Sequence, residues 1–287
     1  MHDSIIQNST FDTQHYIDWH SHILPGLDDG AVDLDEALAI ARILAEAGFG
    51  RVHCTPHSIP GSYEATPATV RRAVEELSEA LEREGISLQV AAGNEYYCDE
   101  FLPSRLDDPL PLGNTDLVLM EAPLQATPQL LSHTAFQVRR KGFIPLIAHP
   151  ERCAILEPQP GNAESHSLIG SMVRFAQAWL STPSPSVEHT TLAELLRSMG
   201  CRFQGNIGSF AGVYGERVRR RALRHLRDGL YDCLGSDAHS ARGLYDWLSR
   251  GLDQVREVVG EEGLAALLTG TTSAGTEGNG LRIGTML

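Results

Sequence analysis

The chain has 287 residues, 42% of them hydrophobic, with a formal net charge of −14 and a pI near 5.2. That length suits one large α/β domain or two smaller ones, and the apolar content excludes a disordered chain. The acidic balance argues against a nucleic-acid binder, and no apolar run approaches the roughly 20 residues that span a bilayer.

Residues 1–15 are polar and read as a loose extension without a signal peptide. The first strand is expected over Tyr16–His22. His20 and His22 sit two apart, so both rings leave the same face, which Asp18 shares. The chain breaks at Pro25-Gly26 and turns through Leu27-Asp28-Asp29-Gly30. Two imidazoles followed by paired carboxylates look like the start of a metal site. A helix follows, capped by Asp33, with Leu34, Leu38, Ala41, Leu44 and Ala45 on one apolar face and Gly48 at its end.

Strand two, about Arg51–Thr55, ends in T-P-H and places His57 just beyond it. Thr66-Pro67 opens the next helix, whose Val70, Ala73, Val74, Leu77 and Leu81 face inward. Strand three (Leu88–Gly93) leads into Asn94-Glu95-Tyr96-Tyr97, and strand four (Asp116–Met120) into Glu121. A helix from Thr127-Pro128 to about Lys141 precedes strand five (Phe143–Ala148), which leads into His149-Pro150-Glu151-Arg152.

Residues 155–190 break the rhythm as an insertion, with a helix expected near Glu164–Leu180. The pattern resumes with a helix near Thr191–Met199, strand six at Cys201–Gln204, a helix near Glu216–Gly229 and strand seven at Tyr231–Leu234. Gly235-Ser236-Asp237-Ala238-His239 follows. A last helix is expected over Asp253–Leu268, then a loose tail over 269–287.

Alternation with seven strands implies a parallel sheet. Pattern alone does not choose between an open sheet and a barrel, but the polar residues do. His22, His57, Glu95, Glu121, His149, Asp237 and His239 lie at or just beyond strand C-termini, which converge on one mouth in a β/α barrel. Nine groups would then meet: His20, His22, His57, His149, His239, Asp29, Glu95, Glu121 and Asp237. Imidazole and carboxylate without thiolate suit Mn, Fe or Zn. Nine donors are too many for one ion and sensible for two or three. Four carboxylates and three divalent ions leave about +2, which favours a phosphate monoester. Adjacent ions can clamp attacking and leaving oxygens and generate hydroxide near neutral pH.

The five cysteines, Cys54, Cys98, Cys153, Cys201 and Cys233, are scattered and never in C-x-x-C spacing, as in a reduced cytosolic protein. None is followed six positions on by arginine, which excludes a cysteine phosphatase. The only lysine, Lys141, ends an expected helix, against a carboxylated-lysine amidohydrolase. The remaining histidines, His53 and His225 among them, fall on helices, loops or the wrong strand phase and read as core or surface.

The segments D-W-H-S-H-I-L-P-G-L-D-D-G-A, T-P-H, G-N-E-Y-Y, A-H-P-E-R, Q-G-N-I-G-S-F-A-G-V-Y-G and G-S-D-A-H-S-A-R resemble the polymerase and histidinol phosphatase (PHP) superfamily. Within it they most resemble the bacterial protein-tyrosine phosphatases that regulate capsule and exopolysaccharide synthesis. The resemblance runs from about Tyr16 to Leu268. It implies one domain over 16–268, a distorted seven-stranded β/α barrel holding three divalent ions, often manganese, with Fe or Zn as alternatives. It assigns His20, His22, Glu95 and Asp237 to one ion, Glu95, Glu121 and His149 to a second, and Asp29, His57 and His239 to a third. Turn geometry alone leaves Asp28 and Asp29 open; the resemblance chooses Asp29. Arg152 and Arg242 match the arginines that bind the phosphoryl group, although the spacing of Arg242 after His239 is shifted.

The reaction implied is in-line attack of a metal-generated hydroxide on a phosphotyrosine-bearing protein, a bacterial tyrosine kinase tail, in the cytoplasm and without membrane insertion. Oligomerisation stays open. Two other readings are a small-molecule phosphoesterase, such as a histidinol-phosphate phosphatase, and a non-catalytic metal-binding regulator of a polysaccharide kinase. The stripe Leu168, Met172, Phe175, Ala176 and Trp179 suggests a helix packed on the barrel, or else a lid or subunit contact. The arginines at 217, 219, 220, 221, 224 and 227 read as a solvated face, or else as a dock for an acidic tail.

Overall fold

The computed structural model describes residues 16–123, 125–157 and 191–271. In chain order its elements are β1 (Tyr16–Ser21), α1 (Leu34–Glu46), β2 (Phe49–Cys54), β3 (His57–Ile59), β4 (Tyr63–Glu64), α2 (Pro67–Arg83), β5 (Gln89–Ala92), β6 (Glu95–Tyr97) and α3 (Leu102–Arg105). There follow β7 (Leu117–Glu121), α4 (Pro128–Arg140), β8 (Ile144–Ala148), α5 (Leu192–Ser198), β9 (Arg202–Asn206), α6 (Ile207–Phe210), α7 (Glu216–Arg227), β10 (Cys233–Gly235) and α8 (Leu244–Thr269). The insertion helix and its apolar stripe lie outside the described residues.

Helix starts are set by the side chains placed before them. Asp33 accepts from the Glu36 amide (2.9 Å), Thr66 from Thr69 (3.2 Å) and Thr127 from Leu130 (3.2 Å). Thr191 and Glu194 form a reciprocal capping box. Each such cap is worth about 1 kcal/mol. The last helix begins at Leu244, earlier than expected, and Gly260 (φ 74°), inside the expected span, breaks it into two segments. Thr269, expected in the loose tail, closes this helix, and Gly270 caps it with a left-handed backbone.

All seven expected strands form, as β1, β2, β5, β7, β8, β9 and β10, and the fold is α/β. The ladders make two sheets rather than one closed barrel: β1-β2-β5, and β10-β9-β8-β7-β6-β3-β4. Every pairing is parallel except β3 with β4. Two strands of the first sheet stop and resume in the second. Pro56, which has no N–H to give a ladder, separates β2 from β3, and Gly93-Asn94 separates β5 from β6. A Cβ on Gly93 would meet the Leu112 side chain at 2.7 Å, so glycine permits the close passage there. Across the break the Glu95 amide donates to the Pro56 carbonyl (3.1 Å). On the far side a single bridge, Ser21 to Ala238, joins the two sheets.

The strand breaks decide where the chemistry sits. His57 and Glu95 are not loop residues after a strand, as the sequence suggested. They open β3 and β6 and are direct partners in that ladder. A large apolar cluster packs α1, α2, α7 and α8 on the sheets, and a second packs α4 and α5. A smaller one of Ile17, Trp19, Leu112, Leu117, Leu119, Leu146, Ala148 and Cys233 adjoins the polar groups, since Ala148 precedes His149 and Leu119 pairs with Glu95. All five cysteines are free and buried, and burial pushes the Cys201 thiol up to about 12. None is fit to be a nucleophile. No helix among the described residues is long and apolar enough to cross a membrane.

Candidate metal centre

The nine residues singled out by spacing come together. Glu95 is at the middle, 1% exposed. Its Oε2 lies 3.3 Å from His20 Nε2, 3.4 Å from His22 Nε2 and 2.9 Å from His57 Nδ1, and its Oε1 lies 3.1 Å from His149 Nε2. Asp237 Oδ1 approaches the same pair, 3.4 Å from His20 Nε2 and 3.3 Å from His22 Nε2. Glu121 is 3.8 Å from both His57 Nδ1 and His149 Nε2. Asp29 Oδ1 lies 3.6 Å from His57 Nε2 and 3.5 Å from His239 Nε2.

Three compact donor groups result: His20, His22 and Glu95; His57, Glu95 and Glu121; and His22, Asp29, His57 and His239. Asp237 belongs with the first by distance and His149 with the second. His57 turns Nδ1 toward Glu95 and Glu121 and Nε2 toward Asp29, so its ring lies between two groups. The family resemblance assigned it to one.

The donors fit cations better than they fit each other. Glu95 Oε2 and His57 Nδ1 are buried, 2.9 Å apart, and neither makes a hydrogen bond. Two Nε2 atoms, of His20 and His22, face each other at 3.0 Å. A buried orphan carboxylate oxygen carries a penalty of several kcal/mol unless something positive meets it. The other ring nitrogens are held from outside, the arrangement that fixes a ligating tautomer. His20 Nδ1 donates to Gln204 Oε1 (3.0 Å), whose own amide donates to the Gly205 carbonyl and so fixes the flip. His239 Nδ1 donates to the Asp237 carbonyl (2.9 Å). His22 Nδ1 lies 2.6 Å from Asp28 Oδ2.

That last contact sets the two turn carboxylates apart. Asp28 also accepts from the His57 amide (2.8 Å) and the Gly30 amide (3.0 Å). It is wholly committed to orienting, while half-exposed Asp29 reaches the donors. Burial would raise the Asp28 carboxyl, but His22 outweighs it and holds the group below its ordinary range. Gly30 is required beside it, because a Cβ there would meet the His22 carbonyl at 2.1 Å. Replacing Asp28 by asparagine is expected to weaken metal binding about 10- to 100-fold with the fold intact. Metal titration followed by calorimetry measures this, and a change under about threefold would rule out the orienting role.

Backbone strain concentrates in the same place. Among the described residues only His149 (φ 29°) and Asp237 (φ 55°) are non-glycine positions with positive φ. Such conformations cost roughly 1–3 kcal/mol each and persist where surroundings dictate them. Here the Asp237 amide donates to the His20 carbonyl (2.7 Å), and the Arg152 amide to the His149 carbonyl (2.8 Å).

Sequence reasoning missed the support. Asp18, fully buried, accepts from the Ser236 amide (2.7 Å) and hydroxyl (2.5 Å), tying β1 to the loop that carries Asp237. Burial raises its carboxyl to about 6 despite those donors. Glu151 accepts from the Asn206 amide (2.9 Å) and the Tyr231 hydroxyl (3.0 Å). Asn206 donates to Asp237 Oδ2 (2.7 Å). Buried Asp and Glu were the available signal, but burial is not visible in isolated acidic letters.

The two arginines differ. Arg152 Nη1 donates to Asp237 Oδ2 (2.8 Å) at the edge of the donor cluster. Arg242 is exposed, its amide donates to Ser240 Oγ (3.1 Å), and its guanidinium has no partner among the described residues. In the arginine-rich α7, Arg221 is buried and pairs with Glu157, which Arg217 also reaches, and Arg219 pairs with Glu216. That face is partly structural.

An α/β framework that gathers imidazoles and carboxylates into three candidate metal-binding groups fits a metal-dependent hydrolase. The chain belongs to the capsular polysaccharide synthesis CpsB/CapC family, whose model matches residues 16–178. The tyrosine-protein phosphatase YwqE of Bacillus subtilis (strain 168) is 30% identical over 230 residues, 79% of this chain and 78% of its own. The putative tyrosine-protein phosphatase CapC of Staphylococcus aureus is 23% identical over 226 residues, covering 78% and 77%. Among solved structures, a chain from the crystal structures of YwqE from B. subtilis and CpsB from Streptococcus pneumoniae, described as unique metal-dependent tyrosine phosphatases, superimposes with a TM-score of 0.68 at 28% identity, covering 90% of this chain and 95% of that one.

Proposed function

We propose that this protein is a metal-dependent protein-tyrosine phosphatase acting on a phosphotyrosine-bearing bacterial kinase in capsule or exopolysaccharide synthesis. The observation that carries the reading is the convergence of nine imidazole and carboxylate donors on one mouth with Arg152 at its edge, in a chain of the CpsB/CapC family. The proposed ligand sets are His20, His22, Glu95 and Asp237; Glu95, Glu121, His149 and, from its geometry, His57; and Asp29, His57 and His239. Three manganese ions are the proposed content, with iron or zinc as alternatives. When bound, such ions supply Lewis-acid charge and a nucleophile at neutral pH.

The distorted seven-stranded barrel and the single domain over 16–268 are part of the same reading. They are supported by the two strands that cross between the sheets and by the Ser21–Ala238 bridge.

The chain's own groups would do the rest. Asp28, Gln204 and the Asp237 carbonyl hold three imidazoles in the tautomer that leaves Nε2 free to bind. Arg152 presents guanidinium donors to phosphoryl oxygens, for which its planar fork is suited. Arg242 is the second proposed phosphoryl arginine, on the exposed turn that follows His239. A cavity of about 320 Å³ lies against Glu121, His149 and Arg152, with Tyr97, Ala122 and Pro123 on its wall. That size falls within the range of small ligand sites, and its apolar wall suits an aromatic leaving group. Phenolate leaves without needing full protonation, so no separate general acid is required.

The test compares a phosphotyrosine peptide with histidinol phosphate on manganese-loaded protein. Preference for the peptide by at least about tenfold in kcat/KM is expected. Equal or reversed preference would replace this reading by a small-molecule phosphoesterase, and absence of turnover on both would leave a metal-binding regulator.

A further inference from the structure

Tyr214 has no part in the donor groups, yet it touches the residue assigned to the phosphoryl group. The Arg152 guanidinium carbon sits 4.6 Å from the centroid of its ring. The Tyr214 hydroxyl lies 3.3 Å from Asp237 Oδ2, the oxygen to which Arg152 Nη1 donates at 2.8 Å. Asn206 Nδ2 donates to the same carboxylate oxygen at 2.7 Å and to the Tyr214 hydroxyl at 3.3 Å. The orientation of the Asn206 amide is settled, because its Oδ1 accepts from the Gly208 amide (2.9 Å).

The loop that carries the ring is itself held. Gly212 (φ 82°) and Gly215 (φ 88°) allow a tight turn on either side of it. The Val213 amide donates to the Gly208 carbonyl and the Gly215 amide to the Gly212 carbonyl, each at 3.0 Å. The ring is therefore a fixed plate under a flexible side chain. Arg152 has only one side-chain hydrogen bond among the described residues, through Nη1, and the residue lines the cavity beside Glu121 and His149. A single hydrogen bond leaves a guanidinium free to swing about its stem. A ring face beneath it removes that freedom at little cost in solvation.

We propose that Tyr214 is a positioning residue for phosphoryl binding: its ring face holds the Arg152 guanidinium so that the free edge meets the phosphoryl oxygens. This rests on the phosphatase reading for the role of Arg152, but it is measured by phosphate affinity and not by the identity of the ester. The π face carries the effect, and the hydroxyl contributes little.

The experiment titrates inorganic phosphate into the manganese-loaded full chain by calorimetry and measures phosphotyrosine-peptide kinetics in parallel. The variants are Tyr214→Phe, Tyr214→Ala, Tyr214→Leu, Arg152→Ala and the Tyr214→Ala/Arg152→Ala pair. Tyr214→Phe is expected within about threefold of the parent, and Tyr214→Ala and Tyr214→Leu are expected to weaken phosphate about tenfold. Adding Tyr214→Ala to Arg152→Ala should change phosphate affinity less than about twofold, because the partner is already gone. Leucine keeps apolar bulk against the loop, so it separates loss of the π face from loss of packing should the alanine variant unfold. The proposal is overturned if Leu binds phosphate as well as Phe does, if Phe is as weak as Ala, or if the two costs add in the double variant. Parent protein that shows this pattern with phosphate but does not turn over phosphotyrosine would sink the substrate reading and keep the proposal. Parent protein that binds no phosphate would sink both.

Discussion

Replacing Glu95 by glutamine is expected to lower manganese-dependent turnover by about 10³-fold or more and to leave the chain folded. The expected loss exceeds the 10- to 100-fold that removal of an outer partner costs, because Glu95 faces the donors directly. Its two oxygens approach four imidazoles, those of His20, His22, His57 and His149, within 3.4 Å. Among the described residues no other carboxylate reaches both the first donor group and the second. The amide retains size and one acceptor but removes the charge that opposes clustered cations. It also leaves the imidazoles on both sides facing an N–H at one of the two positions. Bound manganese should fall by one ion or more, read by elemental analysis after gel filtration, with the far-ultraviolet circular dichroism unchanged. Glutamine protein with full metal content and more than a tenth of parental turnover would remove Glu95 from the centre of the site.

This residue also shows what was legible in the sequence. Glu95 was recognisable because it follows an apolar strand directly, in G-N-E-Y-Y, and because other strand ends carried His or Asp. The period-two placement of His20 and His22 and the strand-terminal positions of Glu121, His149 and Asp237 are patterns that spacing can show. The three-residue strands β3 and β6 were not legible. No periodicity exists over three residues, and it is the pairing of His57 with Glu95 across the ladder that makes them strands. The choice between Asp28 and Asp29 was likewise undetermined by the turn. It depends on which carboxylate the His22 ring and the His57 amide reach, and those contacts come from the passage of β2 into β3 beside β1. Tyr214 was hidden for a related reason. Its neighbours Asn206, Arg152 and Asp237 belong to β9, the turn after β8 and the loop after β10, and only the sheet order places those side by side. The two-sheet ladder was the largest departure. Pattern reading counts strands, and the interruptions at Pro56 and Gly93-Asn94 look like strand ends from either side.

The second large effect expected is that metal-free protein loses stability as pH rises while metal affinity climbs, so that metal-loaded protein stays nearly level. In the metal-free protein, burial alone would lower the His20 pKa. The carboxylates of Glu95 and Asp237 outweigh burial and bring it up to about 9, and His22 is also raised against burial, by Asp237, Asp28 and Glu95. The two Nε2 atoms are 3.0 Å apart, so the pair shares its protons, and at least one is held through neutrality. A folded pKa raised from an ordinary 6.5 to about 9 gives stability that is complete below pH 6.5 and is lost as pH rises toward 9. Metal-free protein should therefore melt at progressively lower temperature across that window. Metal binding needs the imidazoles deprotonated, so each displaced proton makes affinity rise about tenfold per pH unit over the same window. Bound metal then stabilises in proportion to the logarithm of its concentration over its dissociation constant. The gap in melting temperature between manganese-loaded and chelated protein should widen steadily from pH 6.5 to 9. Calorimetric titrations in buffers of different ionisation enthalpy should show release of at least one proton per chain near pH 7.5. The His20→Ala/His22→Ala double variant should lose most of the proton release and of the widening. A constant gap, or binding without proton release, would mean that the His20–His22 pair is neutral before the metal arrives and that Glu95 and Asp237 are balanced by some other charge.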